Sequence, residues 1–376
     1  MKKQIRKEDL VVDARMINSS GIGTYLKNIL PIISNNFNLT LLGDLKELAS
    51  FEWTKGLKII EFNLKIYSLK EQLLYPFIIP KTDLFWCPHF NAPFLPIRAK
   101  KMLTTIYDVN HLANKESSSF AKWIYAKLLY ALAVRKSEKI ITISKFSKAE
   151  LLKYTNAKTK KIKIVYCGVD FVKFTNVYQN LEYEVPEKYI LYVGNIKPHK
   201  NLLTLLKAYK ILPENIKQTY KLVILGKKEG FITPDLEIFK FIEEHSLMKY
   251  IFFTGYVEDY EVPLIYQKAS LFVFPSLYEG FGLPVLEAMA SGVPVLTSNA
   301  TSLPEVGGEA AMYFDPTNFN ELSVKIQEFV LNQELGKMYV RKGKLQARRF
   351  SWETAGKRHI EIIDDLINES STHGAT

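Results

Sequence analysis

The sequence predicts an α/β protein built as two Rossmann-like domains, and three observations carry that expectation. The chain has 376 residues, more than one domain usually holds. In each half, short β-branched or apolar runs alternate with segments of helical period, the pattern of a parallel sheet covered by helices on both faces. Between the halves, residues 171–186 are polar and aperiodic and read as a linker. With 47% hydrophobic and 24% charged residues, the composition is that of an ordinary globular protein able to bury two cores.

In the first half, residues 39–42, 84–87, 102–106 and 139–143 read as strands, with helices at 23–33 and 120–136. In the second half, strand 189–193 leads through a turn at Pro198 into a helix from Asn201 to about Ile211. Strand 221–225, closed by Gly226, precedes a helix around 236–245. Strand 251–254, a helix around 260–269 and strand 271–274 follow. A helix then starts near Pro284, a strand covers 293–297, and long helices fill 320–349. The expected domains are 1–174 and 187–349, followed at 350–376 by a helix over 352–367 and an irregular tail from Ser370.

Cys87 and Cys167 are far apart in apolar company, which suits buried thiols rather than a disulfide framework or a metal site. Residues 1–9 are charged and lack the apolar core of a signal peptide. The most apolar stretches, 73–79 and 124–134, are too short to span a bilayer, so the expected location is cytoplasmic. The net charge of +11 is uneven. Residues 1–180 hold 29 basic and 14 acidic side chains, and the remainder carries a slight acidic excess. A basic first half suits an anionic membrane surface, a phosphorylated acceptor or nucleic acid. Nucleic acid is disfavoured, because the lysines are scattered and no recognition element accompanies them.

The segment Phe274-Pro-Ser-Leu-Tyr-Glu-Gly-Phe-Gly-Leu-Pro-Val-Leu-Glu holds the most chemical information. A strand ends at Pro275, a loop carries Glu279, Gly280, Phe281 and Gly282, and Leu283 and Pro284 open a helix. The glycines allow close backbone approach to a ligand, and amides at a helix start favour phosphate. Glu287, eight positions after Glu279, is expected in the first turn of that helix. Two carboxylates beside an anion site call for a polyhydroxy ligand, such as a sugar or a ribose. Gly21-Ile-Gly23 between a strand and a helix is a weaker signal, since the third glycine of a dinucleotide fingerprint is missing. That gap, with no acidic residue about twenty positions on, argues against a nicotinamide-dependent oxidoreductase.

The chain resembles the GT-B retaining glycosyltransferases of family 4. Glu279 and Glu287 match their E-x7-E element. The resemblance extends to Gly194-Asn-Ile-Lys-Pro-His-Lys-Asn201, Ser144-Lys-Phe-Ser147, Gly168-Val-Asp170, Ser302-Leu-Pro-Glu-Val306, Asp13-Ala-Arg15 and Gly21-Ile-Gly-Thr-Tyr25. It implies two facing Rossmann-like domains with a central cleft, the first binding acceptor and the second the nucleotide-sugar donor. The C-terminal helix is implied to cross back to the first domain. By the same resemblance Glu279 contacts the donor sugar, Glu287 the ribose hydroxyls, and Lys200 the diphosphate, beside Gly280, Phe281, Gly282 and Leu283. Asn195 stands where many relatives have an arginine, and Lys197 lies close enough in sequence to compensate. Gly21 and Gly23 are implied to approach the donor phosphate. Asp108 matches the family's aspartate, whereas Tyr107 replaces its usual histidine, with His111 nearby; His89 reads as structural.

The implied reaction transfers a hexose, mannose from GDP-mannose as first choice, to a glycan or lipid-diphosphate-linked glycan acceptor of lipopolysaccharide, O-antigen or capsule. Front-face attack, with the departing phosphate oxygen deprotonating the acceptor, accounts for the lack of an evident general base. No D-x-D motif or ligand-spaced cluster is present, so no obligatory metal is expected. Peripheral contact with an anionic membrane fits the basic first half. The alternative of the same architecture is a sugar-nucleotide epimerase.

Overall fold

The computed structural model describes residues 7–114, 120–176, 184–226 and 236–369. The tail beyond residue 369 and the middle of the expected linker lie outside the described residues. Two compact units divide the chain: Met1–Gly168 with Trp352–Thr376, and Val169–Ser351.

The first unit runs β1 (Asp9–Asp13), α1 (Ser20–Ser34), β2 (Asn38–Gly43), α2 (Leu45–Ala49), β3 (Lys58–Glu61), α3 (Leu69–Ile78), β4 (Thr82–Cys87) and β5 (Ala99–Thr105). It continues through α4 (Asn110–Ala113), α5 (Phe120–Lys136), β6 (Lys139–Thr142), α6 (Lys145–Tyr154) and β7 (Ile162–Ile164). Its seven strands are ordered β3-β2-β1-β4-β5-β6-β7, and every pairing is parallel. Strands covered on both faces read as nearly unbroken apolar runs, as Leu84-Phe85-Trp86-Cys87 does.

The second unit opens with α7 (Phe171–Thr175), β8 (Tyr189–Val193), α8 (Leu202–Lys210), α9 (Glu214–Thr219), β9 (Lys221–Leu225), α10 (Leu236–Glu244), β10 (Ile251–Gly255) and α11 (Val262–Lys268). It closes with β11 (Leu271–Phe274), α12 (Leu283–Ala290), β12 (Val295–Ser298), α13 (Leu303–Gly307), β13 (Met312–Phe314), α14 (Phe319–Leu331) and α15 (Gln333–Ala347). Its parallel sheet is ordered β10-β9-β8-β11-β12-β13. Within the expected linker, 171–175 is helical: Asp170 accepts from the Lys173 amide at 2.9 Å and caps the turn, and Phe174 is buried.

In each sheet the direction of winding reverses beside the first strand, between β1 and β4 and between β8 and β11. Loops leaving the carboxyl ends of strands at such a reversal are where ligands of doubly wound sheets bind.

The final helix, α16 (Trp352–Asn368), belongs to the first unit and packs on α1. A Cβ on Gly356 would come within 2.6 Å of Ile32 Cγ2, so the close approach of the two helices depends on glycine there. His359 is wholly buried in this seam. Its Nδ1–H donates to the Ala355 carbonyl at 2.7 Å, which leaves Nε2 to accept from the Tyr25 hydroxyl at 2.6 Å. Burial lowers its pKa to about 4, so it is neutral near pH 7.

Candidate active site

The second unit brings the chemically promising residues of its sequence to its switch point. After β8, the loop from Gly194 runs through a tight turn at Pro198–Lys200 into Asn201, which adopts the left-handed conformation at φ 57°. The Asn201 side-chain amide donates to the carbonyls of Pro275 (2.9 Å) and Pro316 (2.8 Å), and the Leu277 amide donates to the His199 carbonyl at 2.8 Å. These bonds stitch the β8 loop to the β11 loop. Lys200 Nζ consequently meets Glu279 Oε1 at 2.6 Å, with both side chains largely shielded from solvent. It also lies 5.5 Å above the Phe274 ring.

The β11 loop is braced from the segment leading into α13. Ser302 Oγ lies 2.9 Å from the Glu279 carbonyl and 2.7 Å from that of Phe281, and Thr301 Oγ1 accepts from the Glu279 amide at 3.2 Å. Gly280 and Phe281 are buried, with the Phe281 ring edge-on to Phe350 at 5.8 Å. Gly282 caps α12 at φ 119°, and a Cβ there would lie 2.7 Å from Leu303 Cδ2. The dihedral therefore favours glycine, and a Cβ would also force the end of the Leu303 side chain to shift. Among the described residues, no hydrogen bond engages the amides of Gly282 or Leu283. Asn195 is exposed at the start of the β8 loop, and the Tyr192 hydroxyl donates to its carbonyl at 3.4 Å.

Glu287 lies in the second turn of α12, not the first, because the helix begins at Leu283, directly after the Gly282 cap. Its Oε2 accepts from the Tyr266 hydroxyl at 3.0 Å. Burial raises its pKa, and the Tyr266 hydrogen bond and the charge of Lys173 offset this only in part. Tyr266, Lys173 and Thr301 therefore support the two glutamates without having carried a sequence signal, and Ser302, which opens one of the matched motifs, joins them. Tyr266 reaches Glu287 from a different helix, 21 positions away.

In the first unit, Gly21 and Gly23 lie inside α1 rather than in a loop before it. A Cβ on Gly23 would come within 2.4 Å of the Ile17 carbonyl oxygen, and the Gly23 amide donates to the Ser19 carbonyl at 2.5 Å. Close backbone packing thus accounts for this glycine by itself, whereas Gly21 has open space around its Cα. Asp108 follows β5, its carboxylate accepting from the Asn110 amide at 2.9 Å and its carbonyl from the Tyr130 hydroxyl at 3.0 Å. The Tyr107 ring packs edge-on against Tyr25 at 5.1 Å, and His111 is exposed beside Phe90. His89 receives a Tyr67 contact at 2.9 Å, and burial lowers its pKa to about 3. Burial raises the pKa of both cysteine thiols. Among the described residues, no group of three or more His, Cys, Asp or Glu is arranged to hold a metal ion.

Residues 175–346 match the family described as glycosyl transferases group 1. Over 288 residues the chain is 32% identical to the O-antigen chain mannosyltransferase B of Escherichia coli, covering 74% of each protein. The chain belongs to the group 1 glycosyltransferases. Among solved structures, this glycosyltransferase superposes on the sucrose-phosphate synthase of Thermosynechococcus elongatus with a TM-score of 0.78. That match has 18% identity and covers 96% of this chain and all of the other. Anabaena HepE, solved with UDP and glucose, gives a TM-score of 0.76 at 16% identity, over 95% of this chain and 99% of its own. Both likenesses establish the GT-B fold of this glycosyltransferase, with its two parallel-sheet Rossmann-like domains. The family match and the mannosyltransferase relative do not support the epimerase or nucleic-acid alternatives.

Proposed function

We propose that this glycosyltransferase moves mannose from GDP-mannose, with retention of anomeric configuration, to a glycan or lipid-diphosphate-linked glycan of cell-surface polysaccharide. The observation that carries the donor site is the Lys200–Glu279 pair at the switch point of the second sheet. The similarity to an O-antigen mannosyltransferase supports mannose as the sugar.

In this reading the second unit binds the donor and the first the acceptor. The diphosphate draws Lys200 away from Glu279, and the free amides of Gly282 and Leu283 take up phosphate oxygens. Gly280, Phe281 and Asn195 line the approach. Glu279, released from the lysine, receives the sugar hydroxyls, while Glu287, held by Tyr266, receives those of the ribose. The leaving phosphate gains charge as the glycosidic bond breaks, and Lys200 stabilises that charge. Asp108, Gly21 and Gly23 belong to the first, acceptor-binding unit, which makes peripheral contact with an anionic membrane.

Radiolabelled GDP-mannose, UDP-glucose and dTDP-rhamnose, each offered with membrane lipid extract as acceptor, test this directly. GDP-mannose is expected to give labelled product, and the rate is expected to survive EDTA, because Lys200 and the loop amides provide the electrostatics a cation supplies elsewhere. Loss of activity in EDTA, restored by magnesium or manganese, would reveal a metal requirement. Labelling from a different donor alone would reassign the sugar.

A further inference from the structure

We infer that the outward faces of α3 and α5 form the docking surface for an anionic phospholipid bilayer. This gives a location to the membrane contact in the proposed function and rests on that reading for its purpose.

Helix α3 has its polarity reversed. It buries Glu71 and Gln72, and it leaves Leu69, Leu73 and Phe77 exposed at 69%, 61% and 81%. The burial of the polar pair has a cause: Glu71 meets Arg15, and the Gln72 amide donates to Asn91. No such need explains the exposed apolar residues, which recur every fourth position and so lie along one face. Helix α5 repeats the spacing with Phe120, Ile124 and Leu128, exposed at 74%, 48% and 49%. The two helices meet near the start of α3 and share the core of the first sheet. The Tyr125 hydroxyl donates to the Tyr67 carbonyl at 3.4 Å, and Tyr75, Ala126 and Leu129 enter one core.

The charge on these faces has one sign. Helix α5 contains no acidic residue, and its Lys122, Lys127 and Arg135 are exposed. On α3 the exposed charge is Lys70, because Glu71 is buried. Lysines interleaved with a row of large apolar side chains are the signature of helices lying in a membrane interface, the apolar row entering the acyl boundary and the ammonium groups meeting anionic headgroups. The centre of a protein–protein interface is instead depleted of lysine. Among the described residues no helix is long and apolar enough to cross a membrane, so the contact is peripheral.

Co-sedimentation of the full chain with vesicles tests the surface. Phosphatidylcholine vesicles containing phosphatidylglycerol are expected to carry the protein down, with release as salt rises, and phosphatidylcholine alone is expected to carry at least tenfold less. Leu73→Gln/Phe77→Gln is expected to lower partition at least tenfold, as is Phe120→Gln/Ile124→Gln on the other helix. Lys122→Glu/Lys127→Glu is expected to remove the preference for anionic vesicles. Far-UV circular dichroism confirms the fold of each variant. Equal partition to both lipids, binding to neither, or wild-type partition of all three variants would overturn the inference. So would a dimer in analytical ultracentrifugation that Leu73→Gln/Phe77→Gln dissociates, since the surface would then serve a second copy. Vesicle binding is read without donor or acceptor, so its failure leaves the transferase reading intact. Absence of sugar-nucleotide binding would count against that reading alone.

Discussion

Replacing Glu279 by alanine is expected to lower glycosyl transfer by about two to three orders of magnitude while leaving the second unit folded. The backbone of the loop does not depend on this side chain: Ser302 and Thr301 hold it through the Glu279 and Phe281 main chain, and Asn201 through Pro275. What the substitution removes is the carboxylate that faces Lys200 and, in the proposed reaction, orients the sugar. The rate and the fold therefore separate. Steady-state transfer and circular dichroism on the same preparation measure both, and wild-type turnover would remove Glu279 from the reaction.

The largest expected effect on stability comes from Arg15→Met. Arg15 is buried between two acids. Its Nε and one terminal nitrogen hold Asp13 at 2.9 and 2.6 Å, the other terminal nitrogen holds Glu71 at 2.7 Å, and the guanidinium lies 4.3 Å over the Phe62 ring. Burial pushes the Asp13 carboxyl up, and the Arg15 charge with the hydrogen bonds of Arg15 and Tyr75 outweighs it, so its pKa is lowered. For Glu71, burial prevails over Arg15 and Asn91 and the pKa is raised. Methionine would leave two buried carboxylates without their cation, which costs about 3–5 kcal/mol. Asp13→Asn/Arg15→Met/Glu71→Gln removes the stranded charge as well and is expected to recover much of the loss. Urea denaturation of the three proteins checks the order. An Arg15→Met variant as stable as wild type would contradict the account of this network.

The donor half was legible because its chemistry is contiguous. A strand, a glycine loop and a proline-started helix stand in one run of residues 271–290, so period and turn residues identify the arrangement directly. In the first half, β3 and β7 did not stand out. They are four and three residues long, and Lys58 and Lys163 take up part of their short apolar pattern. Helix α3 escaped for a different reason: it buries glutamate and glutamine and exposes leucine, so a search for an apolar inner face finds the wrong side. The Gly21-Ile-Gly23 run suggests a turn leading into a helix from residue 23, yet the helix already begins at Ser20, and the packing of Gly23 on the Ile17 carbonyl offsets the poor helix propensity of glycine. The contacts that tie Lys200 to Glu279 and Tyr266 to Glu287 join residues 79 and 21 positions apart, and only the folded sheet makes them neighbours.

The central claim is that the β8 and β11 loops of the second unit form a sugar-nucleotide site, and calorimetric titration of GDP-mannose into three proteins tests it most directly. Wild type is expected to bind one equivalent. Lys200→Met and Glu287→Gln are each expected to bind at least tenfold more weakly, a loss of about 1.4 kcal/mol or more. Glu287→Gln should at the same time unfold at a higher temperature near neutral pH. Folded Glu287 keeps its proton to a higher pH than the unfolded chain does, so stability falls as pH rises from the ordinary carboxylate range through the raised pKa, and glutamine escapes that loss. Weaker binding joined to greater stability is the signature of a carboxylate held in place for a ligand. Unchanged GDP-mannose affinity in both variants would contradict the account.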